Sequence, residues 1–154
     1  MRIIQYSMHL DSDRKNVLVK ESSKNCPQIS SRLDSPQKIA DLMNLEYNAS
    51  ILAEEYVWML AMNTRGNLIG LFEISHGSVN KTCASPREIF TRLCTCGAVH
   101  FVLVHNHPGG DCSPSVEDTQ VTETMEKCGN LMEIPLMDHI IIAENGYYSF
   151  KENK

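Results

Sequence analysis

Hydrophobic residues along the chain switch between a period of two and a period near 3.6, and the switches mark where strands give way to helices. Near the start, Ile3 to His9 and Val17 to Lys20 alternate apolar and polar around Asp11-Ser12-Asp13-Arg14-Lys15, which predicts a hairpin. Ser22 to Pro27 follows as a polar connector, so residues 1–34 read as an N-terminal hairpin and connector. Ser35-Pro36-Gln37 sets an N-cap serine before a first-turn proline, and Ile39, Leu42 and Leu45 form the apolar stripe of the helix it opens. Tyr56 to Met62 and Leu68 to Ile74 are strands joined by the turn-rich Asn63 to Asn67, and Gly77 to Asn80 extends the sheet.

The same punctuation recurs downstream. Ser85-Pro86-Arg87-Glu88 starts a second helix whose face is Ile89, Phe90, Leu93 and Cys94, with Gly97 as its stop. Val99 to Val104 is a short, β-branched run that reads as a buried strand. A third helix runs from Ser115 to about Cys128 with Val121, Met125 and Cys128 inward, and Gly129 or Asn130 ends it. Asp138 to Ala143 is the last long strand, and the Asn145-Gly146 turn returns Tyr147 to Phe150 against it. The order of elements predicts an α/β fold, a mixed β-sheet flanked by helices on both faces, with ligand sites where loops leave the strand ends.

One such loop concentrates the chemistry. His105 to Asp118 reads HNHPGGDCSPSVED, with two histidines one residue apart and then Ser115 and Asp118 eight and eleven residues after the second. The histidines lie where the buried strand empties into a loop, and Ser115 is an N-cap that places Glu117 and Asp118 in a first helical turn. Two imidazoles and a carboxylate therefore converge as a candidate metal site. A catalytic zinc takes three such protein ligands and keeps a fourth position for water, whose pKa falls to about 7. This ligand set accepts several divalent ions, manganese, iron and cobalt among them; zinc, one per chain, is the default.

His105, His107, Ser115 and Asp118 resemble the H-x-H-x7-S-x2-D signature of the JAB/MPN (JAMM) metalloproteases. Ser85-Pro86-Arg87-Glu88-Ile89 before the motif and Asp138-His139-Ile140 after it are similar to the RadC-like branch, over about residues 50 to 151. The resemblance implies a layered, cytidine-deaminase-like fold with His105, His107 and Asp118 as zinc ligands and Ser115 helping to hold a tetrahedral oxyanion. It also implies an upstream glutamate acting as general base at the start of a strand. Glu55 matches that place best and Glu54 is the second choice. His139 is not a ligand in this reading; the Asp138-His139 pair of the RadC-like pattern implies a supporting role, orienting a metal ligand or a water. His9, His76 and His100 have no partners at useful spacing.

The function that the resemblance implies is a zinc-dependent metallopeptidase or isopeptidase. The alternative is a non-catalytic metal-binding module in DNA repair or mobile-element DNA metabolism. The formal net charge of −5 and the absence of a Lys/Arg run make direct nucleic-acid binding doubtful. At 154 residues and 42% hydrophobic content the chain reads as one domain. It has no stretch approaching the roughly 18 apolar residues of a membrane span and no secretory signal, which points to the cytoplasm. Its six cysteines are scattered and read as reduced thiols, with Cys112 incidental to the metal loop.

Overall fold

The computed structural model describes residues 1–29, 32–77 and 85–154. Its elements are β1 (Arg2–Leu10), β2 (Asn16–Asn25), α1 (Pro36–Tyr47), β3 (Glu55–Met62), β4 (Leu68–Gly77), α2 (Pro86–Cys96), β5 (His100–Asn106), α3 (Val116–Leu131), β6 (Leu136–Ala143) and β7 (Gly146–Ser149). The strands form one seven-stranded sheet in the order β2-β1-β4-β3-β5-β6-β7. Pairing is mixed: β1 with β4 and β5 with β6 are parallel, and the other neighbours are antiparallel.

The central strands are apolar at nearly every position because both faces of the sheet are covered. Trp58, Leu60 and Met62 of β3, Val102 and Val104 of β5, and Ile140 and Ile142 of β6 pack with Ile39, Ala40, Leu42 and Met43 of α1. The alternate set, Val57, Met59, Ala61, Phe72, Phe101 and Leu103, packs with Ile89, Phe90 and Leu93 of α2 and Met125 of α3. At about 25 cal/mol per Å² of apolar surface removed from water, each Val, Leu, Ile, Met or Phe among them contributes roughly 1.5–3 kcal/mol, an upper estimate against a compact unfolded chain. This two-sided core holds the end of β5 in place.

Several sequence expectations need correcting. β2 runs on to Asn25, so Ser22 to Asn25 is strand rather than connector; Arg2 pairs with Asn25 at its far end. The second half of β2 is exposed on an edge strand, and so carries no apolar alternation to read. Leu45 of α1 is 51% exposed and Cys94 of α2 also faces solvent, while Ala40 and Met43 complete the buried face of α1. Gly129 does not end α3, which continues to Leu131. A Cβ at Gly129 would lie 2.8 Å from the Ile134 carbonyl oxygen, so glycine serves there for close backbone approach inside the helix. Gly97 does stop α2, at φ 68° with its N–H on the last turn. The expected sheet extension over Ser78 to Asn80 lies outside the described residues, as does Cys83.

Candidate metal centre

Alternation along β5 decides where its last residues point. Phe101, Leu103 and His105 fall on the α2/α3 side of the sheet, whereas Val102, Val104 and Asn106 fall on the α1 side. His105 is thus delivered, buried, beneath the start of α3. His107 continues the line beyond the strand, its N–H donating to the Ile142 carbonyl at 2.8 Å.

The third group is placed by a helix cap. Ser115 Oγ accepts from the Asp118 N–H at 3.0 Å, while Asp118 Oδ2 accepts from the Ser115 N–H at 2.7 Å and from its hydroxyl at 2.6 Å. This reciprocal capping box satisfies two orphan helix donors and fixes the Asp118 carboxylate over the strand end. Asp118 Oδ1 lies 3.1 Å from His105 Nε2 and Oδ2 lies 3.4 Å from His107 Nε2. The two Nε2 atoms are 3.0 Å apart. One donor atom from each residue falls within 4.8 Å of the others, so the group could hold a metal ion.

Electrostatics keep these donors ready. Partial burial works to raise the Asp118 pKa, but hydrogen bonds from His105 and His107 outweigh it and hold the carboxyl well below the usual carboxylate range. Asp118 in turn raises the pKa of His107 against partial burial, aided by the Asp111 carbonyl and by the charge of Glu55. His107 Nδ1 lies 2.9 Å from the Asp111 carbonyl oxygen, which can only accept, so that nitrogen carries a hydrogen and Nε2, on the side of Asp118, is the atom that would take a metal once its own proton is displaced. Two imidazoles and an ionised carboxylate form a donor set that divalent metal ions accept.

Glu55 is the first residue of β3 and only 8% exposed. The β3–β5 ladder ends at Val57 opposite His105, and the side chain of Asn106 replaces the missing rungs. Its Oδ1 accepts from the Tyr56 N–H at 2.8 Å and its Nδ2 donates to the Glu54 carbonyl at 2.9 Å. The backbone is therefore pinned on both sides of Glu55. Glu54 is exposed, whereas the buried Glu55 is close enough to act on His107.

The structure brings His105, His107 and Asp118 together, with Ser115 bonded to Asp118. His139 stays outside the ligand cluster and stands behind His105, Nε2 to Nδ1 at 2.8 Å. His9 pairs with Glu21, and His76 pairs with Glu73 and stacks on Tyr56, away from the cluster. Sequence reasoning missed Asn106, Asn145 and Thr122, whose Oγ1 lies 2.6 Å from His139 Nδ1. Asn145 Oδ1 accepts from the Cys112 N–H at 3.0 Å and its Nδ2 donates to Asp111 Oδ1 at 3.1 Å, tying the β6–β7 turn to the loop that orients His107. The signal available for Asn106 was its place between the histidines, where alternation turns it to the opposite face.

Comparison with known proteins gives a consistent picture. Residues 33–154 match the family model described as RadC-like JAB domain. A UPF0758 protein of Clostridium botulinum (strain Alaska E43 / Type E3) is 40% identical over 121 residues, covering 79% of this chain and 52% of its own length. A UPF0758 protein of Alkaliphilus metalliredigens is 40% identical over 121 residues, 79% of this chain and 51% of its own. One from Desulfitobacterium hafniense (strain DSM 10664 / DCB-2) is 35% identical over 135 residues, 88% and 59% respectively. The chain spans about half the length of the curated relatives it matches, and β1–β2 precedes the matched family region.

Proposed function

Since the chain belongs to the RadC-like JAB domain family, we propose that it is a zinc-dependent hydrolase of amide bonds, cleaving peptides or isopeptides. The observation that carries this reading is the convergence of His105 Nε2, His107 Nε2 and the Asp118 carboxylate at the carboxyl end of β5. A zinc ion held by these three side chains would supply Lewis acidity and bring a water into the neutral pKa range. Glu55 is the general base, taking a proton at its carboxylate from the attacking water and returning it to the leaving amine. Ser115 holds Asp118 in place, and its hydroxyl, which here donates to Asp118 Oδ2, would turn that hydrogen to the developing oxyanion. The net charge of −5 disfavours a phosphate backbone as the ligand.

The test is a screen of zinc-loaded protein against peptide and isopeptide substrates with Glu55→Gln beside it. Turnover that falls by about 10²–10⁴ in the variant while zinc is retained is the expected result. A zinc-loaded wild type that cleaves nothing, or an equally active Glu55→Gln, would overturn the proposal.

A further inference from the structure

The β1–β2 hairpin precedes the matched family region, yet it covers one edge of that region's sheet. The covered edge is β4, and the strand left outermost is β2. These two edges differ in chemistry. Leu68-Ile69-Gly70-Leu71-Phe72 of β4 carries no charge, and Leu71 and Phe72 are fully buried. On β2, by contrast, Lys20, Glu21 and Lys24 are all exposed. An uncharged apolar edge strand pairs readily with the same edge of another molecule, whereas charged side chains on an outer strand oppose such pairing. The hairpin therefore exchanges an adhesive edge for a blunted one.

Backbone pairing alone does little to hold it there. The parallel ladder between β1 and β4 has one register pair among the described residues, Gln5 opposite Leu71. Side chains supply the rest. Tyr6 lies so close over Gly70 that a Cβ built on the glycine would fall 2.5 Å from the ring Cδ2 and 2.8 Å from Cε2. Gly70 does not take the left-handed backbone that would itself call for glycine, so the ring is the reason for the missing side chain. The same ring stacks on Phe72, with centroids 5.8 Å apart. The β1–β2 register shifts between Gln5 and Tyr6, a bulge of the kind that re-aims a side chain. At the base of the hairpin, Lys24 pairs with Glu46 of α1 at 2.5 Å.

We propose that the β1–β2 hairpin is an edge cap that closes β4 to a second copy of this chain, and that Gly70 is the socket through which Tyr6 holds the cap in place. The inference depends neither on a bound metal nor on hydrolysis. It gives the hairpin a role that its polar outer strand alone does not suggest: β2 is polar because it is the edge that meets solvent in place of β4.

Gly70→Val and Tyr6→Ser in the full chain test this, read by amide hydrogen exchange and by sedimentation over a range of concentrations. Valine is a better strand former than glycine, so β4 itself tolerates the first change and only the ring is displaced. An isolated hairpin is marginally stable in water, so its release shows as exchange along β1 and β2. Both variants should exchange there at least about tenfold faster than wild type, keep β3, β5 and β6 protected, and associate further than wild type as concentration rises. Gly70→Val with β1 and β2 still protected would overturn the socket. Released hairpins on chains that associate no more than wild type would overturn the cap. If a variant fails to fold, wild type in low urea decides: β1 and β2 should open together before β3, β5 and β6, and association should accompany that opening. Opening without association, or no opening ahead of the core, contradicts the proposal.

Discussion

Replacing Asn106 by alanine removes two hydrogen bonds that the β-ladder cannot supply, the acceptance from Tyr56 N–H and the donation to Glu54 carbonyl. Asn106 is 1% exposed, so little water reaches the gap that alanine leaves. Each bond contributes about 1 kcal/mol net, and each backbone group left buried and unpaired costs roughly 1–3 kcal/mol. Partial rehydration lies between these limits, which gives a loss of about 2–4 kcal/mol from a domain stability on the order of 5–15 kcal/mol. Urea unfolding of the zinc-free protein measures the loss, and amide hydrogen exchange localises it to Tyr56. Because the two bonds flank Glu55, turnover should fall while bound zinc stays unchanged. Asn106→Asp keeps an acceptor for Tyr56 but has no donor for Glu54, so it should be impaired as well. A loss under about 0.5 kcal/mol with Tyr56 still protected would refute the reasoning.

Zinc affinity should weaken as pH falls, because zinc must displace the proton of His107. Asp118 raises the His107 pKa above 6.5, so the decline begins at higher pH than for an ordinary histidine and steepens to about tenfold per pH unit for one proton; a flat competition titration across neutral pH would contradict this. In the zinc-free protein the sign is opposite: the raised folded pKa contributes stability that is complete below 6.5 and lost as pH rises through the folded value, which denaturation at a series of pH values would show. Gly129→Ala should be destabilising by about 1–2 kcal/mol although helix propensity alone favours alanine by about 1, since the new Cβ would meet Ile134 O at 2.8 Å, Leu136 N at 3.1 Å and Pro135 Cα at 3.2 Å. A raised melting temperature would show that the 134–136 segment yields.

The parts of the fold legible in sequence were those where local chemistry and burial agree. Ser35-Pro36, Ser85-Pro86 and Ser115 mark the starts of α1, α2 and α3, although only Ser35 and Ser115 use their hydroxyls as caps. The apolar runs of β3, β5 and β6 are strands because both faces are buried. The second half of β2 was hidden because its register is held by backbone pairing with β1, which leaves polar side chains free to vary. His105, His107 and Asp118 could be found because ligands at a strand end and in a first helical turn are close in sequence. Thr122 and Asn145 could not, since their contacts span 17 and 33 residues and depend on how α3 and the β6–β7 turn pack. Gly129 shows the limit of reading a glycine as a stop: its reason is the backbone of residues 134–136, which passes close against the helix after it ends.

The central claim is a metal held by His105, His107 and Asp118, and elemental analysis of the purified protein beside His107→Ala and Asp118→Ala tests it most directly. About one zinc per wild-type chain, lost in both folded variants, is the predicted result. A wild type that remains metal-free after zinc is added, or variants that keep the full complement, would contradict it.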